Sequence, residues 1–120
     1  MTEKTVPTYV RLLNMLQTIR DMIPINLLSA DEQHLLDALI IHWHEQAEIS
    51  VSDLMRCGRY GSQTTTYRRI IGLRDKGLVQ FRVHPHDKRV KFVEPTDLAN
   101  RHMDNIGKCV ANLAPVASVA

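Results

Sequence analysis

Between Ser62 and Val83 the apolar period of this chain changes once, at Gly77, and that change limits the fold more than any other feature. Before it, Thr66, Ile70 and Leu73 recur at spacings of four and three, which is one face of a helix. Gly77 then stands where a left-handed residue ends such a helix. After it, Val79, Phe81 and Val83 alternate with Gln80, Arg82 and His84, the two-residue period of a strand. A second run sets Val90, Phe92 and Glu94 against Lys91 and Val93. The break between the runs, HPHDK, has the proline and aspartate of a reversal, so the spacing predicts a two-stranded hairpin directly behind a helix.

Upstream, the helix starts are marked by side chains that satisfy orphan backbone groups. SADE at Ser29–Glu32 has the form of a capping box, and Leu35, Leu36, Leu39, Ile40 and Trp43 follow on one face of a helix ending near Gln46. SVSD at Ser50–Asp53 opens a short helix with Val51, Leu54 and Met55 inward, closed before Gly58. GRYG is a turn, and Ser62 starts the helix described above. Leu12, Leu13, Leu16 and Ile19 predict an earlier helix that Pro24 stops. Leu98, His102, Ile106 and Val110, in steps of four, predict a last helix over about 97–113, with APVASVA as a frayed tail.

The expected architecture is mainly α with a two-stranded β wing. A winged helix-turn-helix over 29–96 is flanked by a helix within 1–28 and a helix and tail over 97–120. In such a unit the helix after the turn enters the major groove of duplex DNA while the helix before it braces the backbone. Burying Thr66, Ile70 and Leu73 leaves Ser62, Gln63, Thr64, Thr65, Tyr67 and Arg68 open. Hydroxyls and amides at a helix start suit phosphate oxygens, glutamine suits adenine, and arginine suits guanine.

Charge agrees with this placement. From Arg56 to Lys91 ten cations face two acids, a net of +8, while the rest of the chain carries −6. One basic third in an otherwise acidic chain marks where a polyanion would sit. Arg59, Lys88 and Lys91 are the candidate phosphate contacts.

The run SVSDLMRC…SQTTTYRRIIGLRDKGLVQFRVHPHDKRVKFVEPT resembles the winged helix-turn-helix of the MarR-type (multiple antibiotic resistance regulator) transcription factors. The resemblance covers about residues 28–96, from LSADEQ to Pro95-Thr96. It rests on the helix end Leu73-Arg74-Asp75-Lys76-Gly77-Leu78-Val79 and on the D-x-R tip Asp87-Lys88-Arg89. It implies that Arg89 enters the minor groove held by Asp87, that Arg68 and its neighbours face the major groove, and that the flanking helices make a dimer. The chain departs from the pattern in a turn about one residue longer at GRYGS, in Pro95 where leucine is usual, and in its shortness, with a small first helix and one terminal helix.

A homodimer also follows from the apolar stripes outside the winged core. Leu12, Leu16 and Ile19 on one side and Leu98, Ile106 and Val110 on the other want cover, from a second copy or from their own core. A pair of reading heads suits a palindromic operator, and the function read here is a sequence-specific regulator of transcription, a repressor. Two rivals remain: a winged-helix module docking an acidic protein, and a single-strand or RNA binder, which would need more stacking aromatics than Tyr60 and Tyr67.

The reactive residues add little chemistry. His42 and His44, two apart on a helix, point to different sides and cannot share an ion, and His84 and His86 lack further ligands. His34 and His102 are read as packed or interfacial. Cys57, beside Arg56 and Arg59, is either a small packed residue or a redox-sensitive thiol, and with Cys109 it forms no disulfide framework. No nucleotide loop, nucleophile motif or metal-binding carboxylate cluster is present, Asp31, Asp37, Glu45 and Glu48 being solvent-side acids. No enzyme, cofactor or metal is expected, and no motif names a small-molecule effector. Nothing long and apolar enough to span a bilayer occurs, so a cytoplasmic location is expected.

Overall fold

The computed structural model describes residues 7–113. In chain order these form α1 (Thr8–Asp21), a 3-10 turn (Ile25–Leu27), α2 (Ala30–His44), α3 (Val51–Arg56), α4 (Gln63–Asp75), β1 (Val79–Val83), β2 (Lys91–Pro95) and α5 (Asp97–Leu113). The tail APVASVA lies outside the described residues.

Local signals fix most boundaries. Ser29 and Ser50 each accept from the backbone N–H three residues on, and Glu32 and Asp53 reach back to the serine N–H, so both capping boxes are complete. At the end of α4, Gly77 takes φ +82° while Leu78 N–H bonds Leu73 O and Gly77 N–H bonds Arg74 O, the two-bond Schellman closure. Leu78, now buried, turns the chain into β1. Helix α2 stops at His44, two residues short of the sequence reading, and Gln46 carries φ +60°.

One core holds the winged unit. Leu35, Leu36 and Leu39 of α2, Leu54 of α3, and Ile70 and Leu73 of α4 meet Leu78, Val79 and Val93. Burial of this set stabilises the fold by roughly 1.5–3 kcal/mol per large side chain relative to exposure. Thr66 is buried with them, its hydroxyl donating to Gly61 O at 3.4 Å.

The hairpin corrects the expected face of β2. In the antiparallel register Phe81 opposes Val93 and Val83 opposes Lys91. Val93 therefore shares the core face with Val79 and is buried, whereas Phe92 lies on the other face under the Arg82 guanidinium, 4.6 Å from its ring centroid. Val93 is also the tertiary anchor of the wing: its N–H bonds Ile49 O at 2.9 Å, and its carbonyl accepts from Trp43 Nε1 at 3.0 Å. Val83, expected on the apolar face, is exposed.

The arm is built from α1 packed against α5. Leu16, Ile19 and Ile106 line a cleft of about 280 Å³ with Leu36, Ile40 and His102, and Leu98 packs on the winged core. Much of the apolar stripes is thus covered within the chain. Leu13 and Val110 remain exposed, as do Tyr9 and Val10. Thr96 joins arm to core: its hydroxyl donates to Gly77 O at 2.6 Å and accepts from Ala99 N–H at 3.1 Å, which caps α5.

Candidate nucleic-acid interface

The turn before α4 is set by backbone as much as by side chains. Gly58 and Gly61 take φ +73° and +109°, and a Cβ at Gly61 would stand 3.2 Å from Thr65 Cγ2. Tyr60 between them is buried, its ring 5.8 Å from that of His34, and its carbonyl accepts from Arg69 Nη1 at 2.5 Å. The turn is thus anchored by a buried tyrosine, and α4 begins at Gln63 behind Ser62.

Ser62 is occupied locally. It accepts from Thr65 N–H at 3.2 Å and donates to Thr65 Oγ1 at 3.0 Å, which orders the first turn of α4. Gln63, Thr64, Tyr67 and Arg68 are exposed beside them, and Thr66, Ile70 and Leu73 are the buried face, as their spacing predicts.

Acidic partners sort the cations of the basic third. Arg69 pairs with Asp31 at 3.0 Å, Lys76 with Glu32 at 2.5 Å, Arg56 with Asp53 at 3.1 Å, and Arg82 with Glu94 at 2.5 Å and with Glu48. Burial raises the Glu32 carboxyl, but hydrogen bonds from Lys76 and the Ser29 N–H outweigh it, leaving the group below the usual carboxylate range. Asp53 is lowered chiefly by the Ser50 backbone N–H. Among the described residues Arg59, Arg68, Arg74, Lys88 and Lys91 make no ion pair. The +8 of the sequence thus overstates the open charge, because Lys76 and Arg82 serve the fold. These long-range pairs were not read from the sequence. Only Arg82 with Glu94 had a local signal, as a diagonal neighbour across the hairpin.

At the wing tip, Asp87 grips Arg89 through three contacts: the Arg89 N–H at 3.0 Å and Nε at 3.1 Å to Oδ1, and Nη2 at 3.2 Å to Oδ2. The Arg89 side-chain and backbone bonds hold the Asp87 carboxyl below its ordinary value. The Arg89 side chain is nonetheless 91% exposed, a pre-shaped guanidinium presented outward. Lys88 and Lys91 stand exposed to either side of it in sequence.

The other reactive residues stay apart. Among the described residues no group of three His, Cys, Asp or Glu side chains could hold a metal ion. Cys57 is exposed rather than packed, its Sγ donating to Leu54 O at 3.1 Å. His102 is buried, and burial lowers its pKa. No helix of the described residues is long and apolar enough to cross a membrane.

This arrangement is a winged helix-turn-helix with a helical arm. No family model and no curated protein matches the chain. Solved structures do. The heme sensor protein PefR from Streptococcus agalactiae in complex with heme matches at TM-score 0.58 and 17% identity, over 97% of this chain and 80% of that one. MarR matches at TM-score 0.55 and 18% identity over 93% and 81%, and the adhesin competence repressor AdcR from Streptococcus pyogenes at 0.51 and 20% over 94% and 80%. The fold is therefore the MarR-type winged helix that the motif of residues 28–96 implies.

Proposed function

We propose that this chain is a non-enzymatic transcriptional regulator that binds duplex DNA sequence-specifically, acting as a repressor on a palindromic operator as a homodimer. The observation that carries the reading is the division of the basic third. Cations that serve the fold are paired, while Arg59, Arg68, Lys88 and Lys91, together with the outward Arg89 fork, are left for a polyanion. Likeness of fold to AdcR, named as a repressor, supports it.

In this reading Ser62, Gln63, Thr64, Thr65, Tyr67 and Arg68 face the major groove, Arg89 held by Asp87 enters the minor groove, and Arg59, Lys88 and Lys91 neutralise phosphates. Residues 29–96 are the reading head and the helices to either side form the arm. Exposed Leu13 and Val110 support a second copy there, the rest of the proposed interface being Leu12, Leu16, Ile19, Leu98 and Ile106 of the same stripes. The chain works in the cytoplasm, where DNA is. A small-molecule effector belongs to the proposal because PefR was solved with heme and BpsR of Bordetella bronchiseptica is regulated by 6-hydroxynicotinic acid.

Selection of bound duplexes from a random pool, with stoichiometry measured on the winning sequence, tests all of this. The expected result is a short inverted repeat binding two chains with an affinity that falls steeply with salt. Absent or salt-insensitive binding overturns the reading, and capture of an acidic protein without any duplex would replace it.

A further inference from the structure

The wing histidines have a geometry that the contacts above leave unused. His84 directly follows β1, half-buried, with its ring 5.8 Å from that of Phe92 and 6.0 Å from that of His86. Its Nδ1 accepts from the His86 backbone N–H at 3.0 Å. A nitrogen that accepts cannot carry hydrogen, so this bond and a proton on Nδ1 exclude each other. His86 is exposed, and its ring makes no hydrogen bond among the described residues.

The charged groups around the pair are already sorted. In the turn, the Asp87 carboxylate is gripped by Arg89 and lies close enough to His84 to interact with it, and Lys88 is exposed. Across the hairpin, Arg82 stacks on the Phe92 ring that His84 also meets, and Glu94 of β2 and Glu48 of the α2–α3 loop are both taken up by Arg82. Lys91 of β2 adds another cation. Among the described residues each nearby carboxylate is thus already shared with an arginine, Asp87 lying between Arg89 and His84 and the Glu94–Glu48 pair at Arg82, and none is hydrogen-bonded to either imidazole. A phosphate backbone seated on the wing would add counter-charge beside both rings.

We propose that His84 and His86 are proton-linked phosphate contacts of the wing, so that the duplex binds with proton uptake by this pair and affinity rises as the pH falls through the histidine range. The inference rests on the duplex-DNA reading above. Protonation of His84 at Nδ1 breaks the bond from the His86 N–H and leaves two donors, that N–H and the new Nδ1–H, for phosphate oxygens. His86 gains its charge without losing a bond.

The test is binding of a fluorescent duplex carrying the selected sequence, at fixed ionic strength. Affinity is expected to be about tenfold tighter near pH 6 than near pH 8, which corresponds to an average uptake of roughly half a proton over that range. Calorimetry in two buffers of different ionisation enthalpy should show net proton uptake. The salt slope should steepen near pH 6 by about 0.9 for each charge gained. His84→Asn keeps an acceptor for the His86 N–H, and His86→Gln keeps a polar side chain, while neither titrates. The double variant is expected to bind with nearly equal affinity at both pH values. Should it melt early, His86→Gln alone, at an exposed position, is expected to lose part of the rise. Wild-type affinity that does not move with pH overturns the proposal. So does an undiminished rise in the variants, which would put the protons on His34, His42, His44 or His102. Failure of wild type to bind any duplex at any pH overturns the functional reading itself.

Discussion

Gly72 and Gly107 both sit inside helices and face opposite surroundings. At Gly72 a Cβ would collide with the Glu32 carboxylate, which is held there by Lys76 and the Ser29 N–H. Gly72→Ala must displace that pair and should cost about 1–3 kcal/mol in denaturant unfolding. Gly107 has nothing within 4 Å, so Gly107→Ala should instead stabilise α5 by up to about 1 kcal/mol in the same measurement. His102 sets a pH dependence of its own. Burial lowers its folded pKa, so the unfolded chain binds the proton first, and stability present above about pH 6.5 falls as the pH drops below it. Unfolding curves for His102→Gln should lack that decline. Glu32, Asp53 and Asp87 are lowered carboxylates, and their contributions are lost further down, as the pH falls from the ordinary carboxylate range through their lowered values. The capping role of Glu32 was legible because Ser29 lies three residues away. Its pairing with Lys76, 44 residues on, was not, since no local pattern specifies which cation a buried acid meets.

In the wing, the Asp87–Arg89 fork gives a prediction with an unusual sign. Deleting an acid from a surface that meets DNA should tighten binding by simple charge. If the fork shapes Arg89, Asp87→Ala should weaken operator binding several-fold while Lys88→Ala lowers the salt slope by about 0.9. Arg68→Ala should cost about 1–3 kcal/mol of operator affinity and relax sequence preference, read by competition between matched and altered sites. The elements carrying these residues were largely legible: caps, the Gly77 closure and the buried triad of α4 are all encoded within four residues of themselves. The inward face of β2 was not. Phe92 and Val93 are both apolar, so alternation alone leaves the phase open, and a contact from outside the hairpin, Ile49 and Trp43 on Val93, decides it.

At the scale of the whole molecule, the radius of gyration is 17.4 Å and the extents are 65 × 26 × 24 Å, against about 14 Å of radius for a compact domain of this length. Such elongation with Leu13 and Val110 exposed suits an arm completed by its twin. Sedimentation should give twice the chain mass, and Leu13→Asp with Val110→Asp should halve it without loss of helix by circular dichroism. The arm's helices were legible from their stripes. Their mutual packing was not, because a stripe does not say whether its partner is the same chain or another. Thr96 gives the arm a mechanical role. One hydroxyl fastens Gly77, just past the end of α4, to the first turn of α5, so a tilt of the arm would be felt at the far end of α4, beside the core contacts of Leu98 and Ala99.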